Sequence, residues 1–123
     1  MITRLLSVAF AAVVGTVASA ATFNPETVTE VQTALTTAQA NGESDTIYIQ
    51  AGTYSLSEGP LTYTAAPTET YSINIYGADS TTTILDGGSQ VPILRVDTTA
   101  VSMGESINIE VTNMTFRNGY ATG

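Results

Sequence analysis

The sequence predicts an all-β chain led by one helix. Short runs that alternate apolar and polar residues fill it from Asp45 to Arg117, among them Ile47-Tyr48-Ile49, Ile73-Asn74-Ile75 and Ile107-Asn108-Ile109. Bends bearing single Gly, Asn or Asp separate these runs, and two-residue hairpin dipeptides joining them are scarce. Only one stretch, ahead of all the strands, has the apolar spacing of a helix. Ile84 and Phe116, each ahead of a glycine-bearing bend, lie 32 residues apart, within the period range of stacked repeats. A jelly roll or sandwich also has many short strands, so spacing leaves those architectures open.

The first twenty residues stand apart. Arg4 precedes the apolar run Leu5 to Ala18, and Ala18-Ser19-Ala20 has the small-x-small form of a cleavage site. This is the pattern of a secretory signal peptide, cut after Ala20. The run is short for a membrane span, which needs about 20 apolar residues. The mature chain then begins at Ala21 and suits one domain at most.

Asn24-Pro25 offers a helix start, with Asn24 as cap and Pro25 at the first helical position. Thr27-Val-Thr-Glu30 offers a second start as a capping box. Val28, Val31, Leu35 and Ala38 form one apolar stripe, and Asn41-Gly42 ends the helix. The segment is rich in threonine and weak in propensity, so it should form by docking its stripe on a larger body. Strands are expected at 45–50, 53–56, 61–64, 71–76, 83–86, 91–96, 107–111 and 114–117. Pro92 near the start of its strand suits the positions open to proline. Within 71–76, Ile73 and Ile75 fall on one face and Asn74 and Tyr76 on the other.

Composition narrows function by exclusion. Eleven acidic residues against three arginines give a net charge of −8, which disfavours phosphate backbones and anionic membranes. Cysteine, histidine and lysine are absent, so stability must come from packing, and histidine-based triads and histidine-ligated zinc are excluded.

Four collinear segments carry a family resemblance. Val31-Gln-Thr-Ala-Leu35 with Ala40-Asn-Gly42 looks like a capping helix. Asp45-Thr-Ile-Tyr-Ile-Gln-Ala-Gly-Thr-Tyr-Ser-Leu56 looks like a first coil. Ile73-Asn-Ile-Tyr-Gly77 with Thr81-Thr-Thr-Ile-Leu-Asp-Gly-Gly88, and Ile109-Glu-Val-Thr-Asn-Met-Thr-Phe-Arg-Asn-Gly119, look like later coils. Together they resemble the N-terminal cap and first coils of secreted right-handed parallel β-helix proteins of the pectin-lyase-like superfamily. The resemblance implies a cap with its helix over 21–44 and stacked coils over 45–123, truncated before the solenoid is complete. Ile109 would then lie inside. Asn74 and Asn108 occupy matching positions in their triplets, and if stacked their amides could form a ladder. Extracellular polysaccharide or a cell-surface component is the expected partner, and missing coils or another chain would pair with the last edge.

Residues that could do chemistry are few. Asp79, Asp86 and Asp97 could bind calcium or act as acid and base, but each sits where Asp makes a turn. Family lyases use carboxylate-bound calcium with an arginine, and family hydrolases use clustered aspartates; neither set of motifs is present. Arg95 and Arg117 read as surface partners of carboxylates. Tyr48, Tyr54, Tyr63, Tyr71 and Tyr76 could form a sugar-stacking platform, although strand tyrosines are common without one. No catalytic, cofactor-binding or metal-binding residue is assigned, and no cofactor is expected. The expected role is a non-catalytic scaffold, adhesin-like or carbohydrate-contacting surface. The alternative is the leading segment of a pectate-lyase-like lyase or hydrolase.

Overall fold

The structure is a computed structural model that describes residues 19–121. The predicted leader lies, up to residue 18, outside the described residues. The described chain runs β1 (Ala20–Phe23), α1 (Val28–Ala38), β2 (Ser44–Ile49), β3 (Gly52–Ser55), β4 (Leu61–Thr64), β5 (Ile73–Gly77), β6 (Thr83–Asp86), β7 (Leu94–Asp97), β8 (Ile109–Thr112) and β9 (Thr115–Arg117). It is mostly strand, in three parallel sheets, with one helix. The sheet orders are β1-β2-β5-β8, β3-β6-β9 and β4-β7. From β2 onward the chain visits the three sheets in turn, then returns to the first.

The helix starts at the second of its two candidate sites. Thr27 is the N-cap: its hydroxyl accepts from the Glu30 N–H at 3.2 Å, while the Glu30 carboxylate accepts from the N–H of Thr27 at 3.0 Å. That exchange satisfies two donors that the first helical turn leaves free. Asn24 and Pro25 precede the helix instead of opening it, because the reciprocal box outcompetes a lone asparagine cap. Gly42 takes the left-handed conformation expected of it, at φ +71°, but four residues beyond the last helical one. Val31, Ala34, Leu35 and Ala38 are the buried face, and they pack on β4 and β2.

How α1 meets β4 decides where it sits. A strand with no neighbour leaves a row of unpaired N–H and C=O groups. Beside β2 that place is filled by β1, a strand with no counterpart among the sequence expectations, in register from Ala20 opposite Ser44 to Phe23 opposite Ile47. On the edge of β4 away from β7 there is no strand among the described residues, and glutamines do the work. Gln32 Nε2 donates to the Thr62 carbonyl at 3.0 Å and its Oε1 accepts from the Thr62 N–H at 2.9 Å. Gln39 Oε1 accepts from the Thr64 N–H at 3.2 Å. Two amides seven residues apart, one on the helix and one at its C-cap, thus substitute for part of a missing strand.

Inside, side chains stack in columns set by parallel register. Phe23, Ile47, Ile75 and Val111 form one column. Asp45, Ile73 and Ile109 form the next. Tyr54, Leu85 and Phe116 line the second sheet, and Tyr63 above Val96 the third. Burial falls along these columns away from the helix. Tyr54 and Leu85 are 4% and 2% exposed, but Phe116 is 46% exposed; Tyr63 is 2% exposed and Val96 43%. The core therefore sits under α1 and opens toward β7, β8 and β9.

The register of two strand pairs departs from the alignment that the matching triplets and the 32-residue spacing suggest. Ile73-Asn74-Ile75 stacks on Ile109-Glu110-Val111, so Asn74 faces Glu110, and Asn108 lies before β8. The Asn74–Asn108 ladder does not form. Likewise Phe116 lies under Leu85, and Ile84 faces Thr115 on the outer side. Gly77 explains part of this register. A Cβ there would run into the Asn113 carbonyl of the next turn and approach Thr83 Cβ to 2.9 Å. Only glycine lets the bend at Asn113, itself at φ +58°, close so tightly.

Candidate functional site

The outer face of the β1-β2-β5-β8 sheet carries the most distinctive surface chemistry. Alternation turns Ile47, Ile49, Ile73 and Ile75 inward, so Thr46, Tyr48, Asn74, Tyr76, Glu110 and Thr112 fall on the opposite face. In-register pairing sets Tyr48 beside Tyr76. Their rings stack with centroids 5.5 Å apart and planes 30° from parallel. Tyr48 is 45% exposed and Tyr76 half-buried. Beside the pair runs Thr46-Asn74-Glu110, a column of donors and acceptors. A flat aromatic surface edged by hydroxyl, amide and carboxylate groups can stack a ring with an apolar face and hydrogen-bond that ring's edge.

The five tyrosines do not form one platform. Tyr54 and Tyr63 are buried in the core, and Tyr54 donates its hydroxyl proton to the Gln50 carbonyl at 2.7 Å. Tyr71 is exposed, in the connection before β5. The parity of Tyr54 against Leu56, and of Tyr63 against Leu61, already marks the inward side.

The three suspected aspartates each close a local turn. Asp79 Oδ1 accepts from the Thr81 N–H at 2.8 Å and from its hydroxyl at 2.5 Å. Asp97 binds Thr99 in the same way, at 2.9 and 2.7 Å. These bonds favour the charged form and hold both carboxyls below the ordinary aspartate value. Asp86 accepts from the Gly88 N–H at 2.9 Å, from Arg117 Nε at 2.7 Å and from Asn118 Nδ2 at 3.1 Å. The Gly88 bond, then those of Arg117 and Asn118, lower its pKa too. Arg117 thus meets a carboxylate as expected, one turn of chain away. Arg95 stands exposed on β7. No group of three or more acidic residues, among the described residues, is placed to hold a metal ion.

Sequence reading overlooked a different pair of carboxylates. Asp45 and Glu69 are each only 2% exposed. Asp45 Oδ1 accepts from Asn41 Nδ2 at 2.8 Å, and Glu69 Oε2 accepts from the Gly42 N–H at 3.0 Å. Glu69 Oε1 is buried with no partner. Burial, and then the charges of Glu69 and Glu43, raise the Asp45 pKa despite the Asn41 bond. Burial and the charges of Glu69 and Asp45 also push Tyr63 up to about 12. Asp45 was legible, since it shares the inward parity of Ile47 and Ile49. Glu69 was not, because a loop has no periodicity to betray which side chains turn in.

A groove of about 460 Å³ runs between α1 and the β3–β4 connection, lined by Val28, Gln32, Thr36, Glu58, Pro60 and Leu61 among others. It gathers no set of groups suited to catalysis. No helix among the described residues is long and apolar enough to cross a membrane. Comparison with family models, with curated proteins and with solved structures finds no match.

Proposed function

We propose that this chain is the capped beginning of a right-handed parallel β-helix of the pectin-lyase-like kind, and that it serves as a non-catalytic, carbohydrate-contacting scaffold. The observation that carries the reading is the cyclic order of the strands. Three parallel sheets are visited in turn, with inward columns in register and a helix over one end only. Parallel connections of this type are overwhelmingly right-handed, which favours that hand here. The leader pattern supports export with cleavage after Ala20, which leaves β1 to begin at Ala21.

The stacked Tyr48–Tyr76 pair supports polysaccharide as the partner class. The inward-pointing Phe116 and Val96 at the open end favour a further layer of strands there, from more coils or from another chain. The scaffold reading is supported by the engagement of Asp79, Asp86, Asp97 and Arg117 in their own turns and pairings. Affinity electrophoresis against a panel of neutral and acidic polysaccharides tests the function. Retardation by at least one polymer, lost in Tyr48→Ala and Tyr76→Ala with the fold intact, is expected. Calcium-dependent cleavage of polygalacturonate by the chain would overturn the non-catalytic reading in favour of a lyase.

A further inference from the structure

The outer face of the β1-β2-β5-β8 sheet carries charge of one sign only. Two outward columns run along it, parallel to the direction in which the strands stack. One is Thr22, Thr46, Asn74 and Glu110; the other is Tyr48, Tyr76 and Thr112. Neighbours within a column lie on strands about 4.8 Å apart, and the columns are two residues, about 7 Å, from each other. Elsewhere surface hydroxyls are spent on the chain itself. Those of Thr81, Thr99 and Thr115 donate to Asp79, Asp97 and the Ser80 carbonyl, whereas among the described residues no hydrogen bond engages the side chains of Thr46, Asn74, Glu110 or Thr112. Their donors and acceptors stand open to a ligand lying beside the tyrosines.

Charge decides what such a face accepts. Glu110 is the one charged residue in the two columns, and it is exposed. Arg95 lies on β7 and Arg117 on β9, in the other two sheets, and Arg117 is bound to Asp86. On a chain cut after Ala20, the new amino group begins β1 at Ala21, opposite Asp45. It stands three strands from β8, about 14 Å across the sheet. Asp45 is nearer to it than Glu110 is. Among the described residues, then, no cation sits beside Glu110. A carboxylate accepts hydrogen bonds from sugar hydroxyls and repels another carboxylate. One residue can therefore both hold a neutral glycan and turn away a uronate, which is the repulsive element that specificity commonly needs.

We propose that the Tyr48–Tyr76 face selects neutral polysaccharide and excludes polyuronate. This rests on the carbohydrate reading above and narrows it. The sugar chain lies along the two columns, with ring faces over the tyrosine pair and hydroxyls on Thr46, Asn74 and Glu110. The selection is electrostatic and centred on one exposed residue, so it weakens with salt and is lost with the Glu110 charge.

Affinity electrophoresis in native gels tests the selection with two matched pairs of polymers, hydroxyethyl against carboxymethyl cellulose and dextran against carboxymethyl dextran. Each pair shares a backbone and differs in its carboxylates. A gel near pH 9 lies above the ordinary α-amino range, which removes the Ala21 ammonium from the comparison. A non-binding acidic protein serves as the mobility reference. A neutral polymer should retard the wild type, and its carboxylated partner should bind about fivefold more weakly or worse at low salt, from the repulsion of two exposed unit charges about 4–5 Å apart. Glu110→Gln, at an exposed position, should reduce that ratio by about the same factor, as should about 1 M salt in the wild type. Glu110→Lys should reverse the preference, and Tyr48→Ala should lose both polymers. A carboxylated polymer bound as tightly as its neutral partner, or a ratio that Glu110→Gln leaves unchanged, would overturn the selection while leaving carbohydrate contact standing. Retardation by no polymer of either kind would remove the carbohydrate reading and the selection with it.

Discussion

Ile73 and Ile109 are the same residue in the same inward column, one strand apart, and that makes them a controlled test of the stacking. Ile73 is 1% exposed, with Asp45 on one side and Ile109 on the other. Ile109 is half-buried, with Ile73 on one side and, among the described residues, no strand beyond. Truncating a buried isoleucine to alanine removes its transfer free energy and leaves a cavity, about 2–5 kcal/mol in all. At Ile109 roughly half the contacts exist to be lost, and solvent reaches the gap, so about 1–2 kcal/mol is expected. With a urea dependence near 1.5 kcal/mol/M, Ile73→Ala should lower the midpoint by about 2 M and Ile109→Ala by about 1 M or less. The assay is urea unfolding followed by far-UV circular dichroism, with slopes compared to check that the transition stays two-state. Equal shifts, or a larger one at Ile109, would refute the idea that the core is closed under α1 and open below β8. Aspartate at 109 should cost more than alanine, since it places a carboxylate against Ile73, but less than aspartate at 73, where it would also meet Asp45.

Two further substitutions test the cap and the bend. Gln32→Ala removes both hydrogen bonds to Thr62 and should destabilise by about 1–3 kcal/mol, because a strand edge loses partners that water only partly replaces; amide exchange at Thr62 should accelerate, and an unchanged rate would deny that the glutamine protects the edge. Gly77→Ala places a methyl against the Asn113 carbonyl and should destabilise by about 1–3 kcal/mol or more, the range for overpacking against atoms that cannot move freely. A neutral result in urea unfolding would mean that the β8–β9 bend shifts easily.

The differences between what the sequence revealed and what the structure contains follow from how each signal arises. Strand parity is a local property: Ile47 and Ile49, or Tyr54 and Leu56, declare the same face within three residues, so the inward sides were readable. Register is not local. The Ile-x-Ile triplets look equivalent, yet Ile73 pairs with Asp45 and with Ile109, two positions away from the alignment that the repeated triplets invite. A slip of two leaves every side chain on its own face, so hydrophobic patterning alone does not penalise it. What distinguishes the registers is steric and comes from elsewhere in the chain, such as Gly77 receiving the Asn113 carbonyl. The same slip moves the outer face. It sets Tyr48 beside Tyr76, creating the stacked pair, and sets Asn74 beside Glu110, removing the amide ladder. The candidate surface is therefore a product of register, and its two tyrosines were visible as outward residues before their partnership was. The Asp45–Glu69 pair is more remote still. It depends on a loop that folds back beneath the cap, where the Gly42 N–H meets Glu69 27 residues further along the chain, and a contact of that span leaves no periodic trace in the sequence.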